Sequence, residues 1–430
     1  MTDTPTSAPP PAKLSNDGHL AVVAAFAVAF ILFGLAVSGP GAVFSGLGEI
    51  LFARNTLITD YIGLGGMGAA FVNAGLLTLV VAAIYRQSGT AIGGPAIACL
   101  FLVLGFALFG KNLLNVWPIV AGVALYARYK REPFSQHINT AFFGCALAPV
   151  FSEILFSTSL PAVATVPLGI VTGLLMGFVL APAAAQLFKA HMGYSLYNMG
   201  FTAGIVGTLI VALYISYGFV PEPVFIWTSG NNLLLGIAMG VAFLALIGAG
   251  YWFDRDALRG LLTILRSPGQ SPSDFVAIAG SGPVLVNMGI SGLVGIAYVL
   301  LVGADLNGPV LGAILSIVGF AAYGKHPANF IPVMAGVFLG TIAKPFGAAD
   351  PSIILAALFG TTLAPIAGRF GWHWGIVAGF VHVSAAQTVG ALHGGLNLYN
   401  NGFAAGIVAS ILVPVIIAIR DRKDHPPEAL

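Results

Sequence analysis

Apolar runs follow one another from His19 to Ile419 with short polar gaps between them. About 20 such residues suffice to cross a bilayer as a helix. Seven segments mark the first half, near 19–39, 60–85, 91–109, 113–127, 139–157, 162–187 and 194–218. Seven more follow near 231–253, 273–302, 307–323, 328–341, 350–365, 371–390 and 396–419. The pattern predicts an all-α polytopic membrane protein, in which runs as short as 113–127 and 328–341 are candidate re-entrant half-helices.

The polar punctuation is written twice. HMGYSLYNMGFTAGIV (His191 to Val206) returns as HGGLNLYNNGFAAGIV (His393 to Val408). At an offset of 214 positions, TDYIGLGGMGAAFVNAG falls on SDFVAIAGSGPVLVNMG, and GKNLLNVWPIVAGV falls on GKHPANFIPVMAGV. This register pairs Asp60 with Asp274, Asn73 with Asn287, Lys111 with Lys325, and Asn115 with Asn329. After a shortened stretch, LFSTSL is set against LFGTTL, which places Thr158 beside Thr361 and Glu153 near Ala356. The chain therefore divides into a Pro/Ser/Thr-rich tail over 1–18, expected to be disordered, and a membrane repeat over 19–220. A second repeat covers 231–419, and a tail covers 420–430.

Composition agrees: 58% of the 430 residues are hydrophobic and only 7% charged, against about a quarter charged in soluble domains. The few charges carry topology. With a cytoplasmic N-terminus, the inside receives Arg86, Arg128, Lys130, Arg131, Lys189, Arg255, Arg259, Arg266, Lys325, Arg369, Arg420, Arg422 and Lys423. Arg54, Lys111 and Lys344 fall outside, a positive-inside bias that puts both termini in the cytoplasm of a bacterial inner-membrane protein. An odd number of crossings per half turns the second half upside down, the inverted-repeat construction of many transporters. An even count with parallel repeats is the alternative. The first apolar run lacks a basic n-region and is read as a retained helix. Cys99 and Cys145 lie in apolar runs and are read as packing residues.

Polar groups at membrane depth are costly unless paired or facing water, so those present in both halves are the candidates. Asn73 and Asn287 sit in V-N-x-G, where an amide suits either a solute or an interhelical bond. Lys111 and Lys325 open G-K-x-x-x-N-x-x-P, with Asn115 and Asn329 before a Pro, the signature of a broken helix. Asp60 and Asp274 follow Thr59 and Ser273 at a helix start and read as caps or ion contacts. Glu153 is an intramembrane carboxylate and a candidate coupling site. Tyr197-Asn198 and Tyr399-Asn400 open a helix whose N–H groups favour an electronegative atom. Thr158 and Thr361 complete the path, and His191 and His393 read as its rims.

GLGEILFARNTLITDY (Gly46 to Tyr61) resembles the G-L-G-Q-V-x-F-x-N-N-P-L signature of bacterial urea transporters. Glu49, Arg54 and Thr56 stand where that family has Gln, Asn and Pro. LPAVATVP (Leu160 to Pro167) is similar to its L-P-x-x-T-x-P motif with one residue more. The resemblance implies inverted repeats about a narrow pore lined by phenylalanines and hydroxyls. The whole-chain pattern of V-N-x-G, G-K-x-x-x-N-x-x-P and L-Y-N-x-G-F looks more like an uncharacterised family of duplicated bacterial membrane proteins.

These readings give a channel or facilitator for a small polar solute, urea-like or a small anion, at the interface of the two repeats. An H⁺- or Na⁺-coupled transporter is the rival, and an intramembrane enzyme a more distant one. No H-E-x-x-H, P-loop or dinucleotide fingerprint occurs in the sequence. The expected partners are the lipid bilayer, the solute and a homo-oligomer, with no cofactor, metal, nucleic acid or catalytic role.

Overall fold

The structure is a computed structural model describing residues 11–156 and 160–424. The first half runs through α1 (Asn16–Leu51), α2 (Tyr61–Ser88), α3 (Gly94–Phe106) and α4 (Trp117–Lys130). It continues with α5 (Ile138–Gly144), α6 (Ala148–Leu155), α7 (Ala162–His191) and α8 (Asn198–Ser216). The second half holds α9 (Asn232–Phe253), α10 (Ala257–Leu265), α11 (Phe275–Ala279), α12 (Ser281–Leu301) and α13 (Gly308–Phe320). Then come α14 (Pro327–Ala343), α15 (Pro351–Gly360), α16 (Ala364–Phe370), α17 (Trp372–Val389) and α18 (Asn400–Asp424). Two short strands, β1 (Ile58–Thr59) and β2 (Phe225–Ile226), pair in parallel.

Among the described residues, 10 helical stretches are long and apolar enough to cross a membrane. Large apolar side chains on them face outward, such as Leu32, Leu213, Leu233, Leu301 and Ile411. The protein is a multi-pass membrane protein. The predicted segments of each half become such spans plus a shorter pair, α3 with α4 and α13 with α14. At 13 residues, α3 and α13 are each about 20 Å long, too short for a hydrocarbon core of about 30 Å.

The duplication is visible in backbone detail. Gly66 kinks α2 at φ 84°, and Gly280, 214 positions on, breaks α11 from α12 at φ 88°. Both sit in a left-handed region open chiefly to glycine. The expected tail is partly built in: α1 starts at Asn16, and Ala12 O and the Leu14 amide bond Ser281.

The repeats are inverted. Equivalent helices α3 and α13 pack directly on each other, with Gly105 against Gly312 and Ala98 against Gly319. As the position advances on one helix it recedes on the other, so they run antiparallel. A two-fold axis that relates two antiparallel helices lies across them, not along them. The axis therefore lies in the membrane plane, the inverted-topology case. The same axis passes between α8 and α18, where a Cβ on Gly200 would lie 3.0 Å from the Gly402 Cα.

One alignment from the sequence is corrected. The 3₁₀ turns Cys145–Leu147 and Thr361–Leu363 occupy equivalent places, each followed by Ala-Pro at the start of α6 or α16. Thr361 thus corresponds to Cys145, not Thr158, and Glu153 corresponds to Arg369, not Ala356. Thr158 lies outside the described residues. LFSTSL matched LFGTTL in letters while lying beyond the end of α6, where the halves differ in length.

Candidate functional site

The helix breaks are closed by side chains of their own repeat. Past the ends of α3 and α13, the Lys111 and Lys325 amides donate to Phe106 O and Phe320 O, each at 2.9 Å. Asn73 Nδ2 donates to Ala107 O and Lys111 O at 2.7 and 3.0 Å, and Asn287 Nδ2 to Ala321 O and Lys325 O, both at 2.8 Å. Asn115 and Asn329 donate to Gly110 O and Gly324 O at 2.9 Å and accept from the Asn112 and His326 amides. The carbonyls that a broken helix leaves without a helical partner are thus held by these four amides. Each buried carbonyl stranded costs about 1–3 kcal/mol. Asn287→Ala, which strands two, is expected to lower thermal stability by several kcal/mol, measured by unfolding in detergent.

The aspartates cap across the repeat boundary. Asp60 accepts from Ile62 N and from Gly308 N at the start of α13. Asp274 accepts from Ala277 N and from Gly94 N at the start of α3. His191 and His393, read as rims, are wholly buried instead. Their Nε2 atoms meet Asn198 Oδ1 and Asn400 Oδ1 at 2.9 and 3.1 Å. Those amides then donate to Ala184 O and Ala386 O, tying each helix start to the preceding helix. Glu153 lies beside Arg54 at 3.7 Å, and Arg54 also pairs with Glu222 at 2.9 Å.

The axis itself is aromatic. Tyr197 and Tyr399 meet with ring centroids 5.2 Å apart. Around them stand Phe320 against Tyr197 and Phe106 against Tyr399, both at 4.7 Å, with Phe143 and Phe359 beyond. These six are three repeat-related pairs. Buried aromatics in contact form a tightly packed barrier.

Two buried lysines flank the barrier unequally, and neither forms an ion pair among the described residues. Lys325 Nζ donates to Tyr197 Oη at 2.6 Å and Thr361 Oγ1 at 2.8 Å. Tyr197 Oη in turn donates to Ser316 Oγ, whose proton goes to Ala313 O. In the other half Leu102 replaces Ser316 and Cys145 replaces Thr361. There Lys111 Nζ donates to Phe142 O at 3.0 Å, and Tyr399 Oη has no hydrogen-bond partner among the described residues.

A cavity of about 470 Å³ reaches this barrier from one side. Tyr197, Tyr399, Phe143 and Phe320 form its inner end, and Asn139, Thr140, Asn198, Ser271, Tyr323 and His137 supply polar walls. Its mouth lies on the basic face. There α4 and α7, which pack in parallel, both end, carrying Arg128, Lys130, Arg131 and Lys189. On the opposite side the equivalent positions are Leu355, Ala356, Leu57 and Phe109 in place of Asn139, Thr140, Ser271 and Tyr323.

Of the sequence-predicted residues, the tyrosines, Thr361 and the lysines converge here and Asn198 touches the cavity; Glu153 lies beside Arg54, Thr158 lies outside the described residues, and the remaining asparagines and aspartates serve the backbone. The sequence reading missed Ser316, Asn139, the phenylalanines and Thr362, whose Oγ1 accepts from Tyr197 N at 2.8 Å. Phe106 and Phe320 are identical at the 214 offset, so the register carried that signal. Ser316 has no counterpart, and a search for shared residues passes over it.

A family model described as a protein of unknown function, DUF1576, matches twice, over residues 39–216 and 253–418. The matched stretches begin and end at repeat-equivalent positions. No curated protein and no solved structure matches, so the likeness to urea transporters finds no support. Arg54 and Thr56 bond Glu222 and Val224 on the loop before α9, Asn55 bonds Ser152 on α6, and none of Gly46–Tyr61 lines the cavity.

Proposed function

From the premise that the chain belongs to the DUF1576 family of unknown function, we propose that it is a permease for a small polar solute. The solute enters between the inverted repeats from the basic face, which the proposal makes cytoplasmic, as it does both termini, in a bacterial inner membrane. The observation that carries this is the cavity of about 470 Å³ that ends on the pseudo-two-fold axis at the Tyr197–Tyr399 barrier. Small-molecule sites are of this size, and inverted-repeat transporters bind solute where the repeats meet.

A path open on one side and closed by aromatics favours gated, alternating access over a continuously open pore. The equivalent positions on the other side are the apolar Leu57, Phe109, Leu355 and Ala356, of which the last three are buried. Rocking of one repeat against the other exchanges the two. Coupling to an ion loses support from the aspartates, because both carboxylates are occupied by backbone N–H groups.

Uptake into proteoliposomes tests the reading, with small carboxylates, amides, halides and urea as solutes. Saturable uptake of at least one, reduced tenfold or more by Thr140→Trp in the cavity, is expected. No uptake of any of them, or uptake indifferent to that substitution, contradicts a path through this cavity.

A further inference from the structure

We infer that the two lysine–tyrosine sites have diverged, and that Tyr399 with Lys111 is the one that takes ligand: the carboxylate of a small organic monoanion. This rests on the permease reading of the same cavity and names its solute class.

The asymmetry is the argument. Lys325, Tyr197, Thr361 and Ser316 satisfy one another and end on backbone carbonyls, so that site is a finished internal lock. The equivalent site has Leu102 and Cys145 where the two hydroxyl partners would stand, yet has the same lysine and tyrosine. Tyr399 is only 2% exposed, lines the cavity, and has an Oη without a partner among the described residues. A buried hydroxyl without a partner is costly, and Phe would fill the same space without it. Lys111 Nζ, fully buried, makes one hydrogen bond to Phe142 O, the residue before cavity-lining Phe143. Asn139 accepts the Tyr85 hydroxyl through Oδ1, so its amide nitrogen adds a donor to the wall.

A buried lysine with no counter-charge among the described residues holds its proton best when an anion lies near it, so the partner this side lacks is an acceptor of negative charge that the Tyr399 hydroxyl can also bond. One lysine matches one charge. The apolar part of the cavity wall, which includes Ala181, Ala184, Phe143 and Phe320, suits a short apolar tail. Lys111 supplies charge from behind the cavity wall, while Tyr399 touches the ligand.

The test is thermal unfolding of the purified full chain in detergent with acetate, propionate or butyrate, against propionamide and propylammonium. The carboxylates should raise the melting temperature saturably and the other two should not. Tyr399→Phe should weaken the apparent propionate affinity about tenfold or more, the factor expected for a hydrogen bond to a charged group. The same substitution should leave the ligand-free protein as stable as before or more so. Tyr197→Phe, which removes the hydroxyl that Lys325 and Ser316 bond, should by contrast lower the ligand-free melting temperature. Wild-type propionate binding by Tyr399→Phe, or equal stabilisation by propionamide, overturns the proposal. If propionamide is also the transported solute, the permease reading stands while this assignment falls. If no solute binds or crosses, both fall.

Discussion

Asp60→Ala is expected to be among the most destabilising single substitutions in this chain. The Asp60 carboxylate is fully buried and accepts from Ile62 N at 3.0 Å, Gly308 N at 3.1 Å and Thr228 N at 3.2 Å, besides the Thr228 hydroxyl. Alanine strands three backbone donors at about 1–3 kcal/mol each and removes the cap that ties the start of α13 to the opposite half. Asp274→Ala removes only the bonds to Gly94 N and Ala277 N, both at 3.1 Å, from a half-buried position. Thermal unfolding in detergent should therefore rank Asp60→Ala well below Asp274→Ala. Equal melting temperatures would mean that the cross-repeat cap contributes little.

The second large effect concerns the crossing of α8 and α18. A Cβ on Gly200 would meet the Tyr399 Cβ at 2.9 Å and the Gly402 Cα at 3.0 Å, and one on Gly402 would meet the Gly200 Cα at 3.0 Å. Gly200→Leu adds further atoms where backbone from the other repeat already touches. Overpacking costs about 1–3 kcal/mol in ordinary cores and more where the obstruction is backbone. The strain also separates Tyr197 from Tyr399, so the variant should lose both melting temperature and solute retention. Gly240→Leu on α9, where a Cβ meets nothing within 4 Å, is the control and should behave as wild type. A Gly200→Leu protein as stable and as tight as this control would remove the crossing from the account.

Much of this was legible because a duplicated gene writes its constraints twice. The 214 offset paired Asp60 with Asp274 and Asn73 with Asn287; the asparagines hold equivalent carbonyls within their own halves, and the aspartates cap equivalent helix starts in the opposite half. What the letters alone did not give was direction. An Asn in an apolar helix reads equally as solute ligand or backbone clamp, and only the Ala107 and Ala321 carbonyls decide between them. His191 and His393 looked like rims because histidine tolerates water, but Asn198 and Asn400 hold them in the interior. Lys111 and Lys325 counted as loop charges, yet both are buried at the helix breaks. The functional difference between the halves was least legible of all. It rests on what the repeats do not share: Ser316 against Leu102, Thr361 against Cys145, and Asn139 against Leu355.

The central claim is a path between inverted repeats that opens to one face and is sealed at the tyrosine pair. Single cysteines in a background with Cys99 and Cys145 replaced by alanine test it directly. Thr140→Cys lies on the cavity wall, and Ala356→Cys lies at the repeat-equivalent, fully buried position on the other side. With a membrane-impermeant thiol reagent, Thr140→Cys should react from the basic face alone, and Ala356→Cys from neither face until a transported solute is added. Equal reactivity of the two positions without solute, or no reaction at Thr140→Cys from either face, would contradict the account.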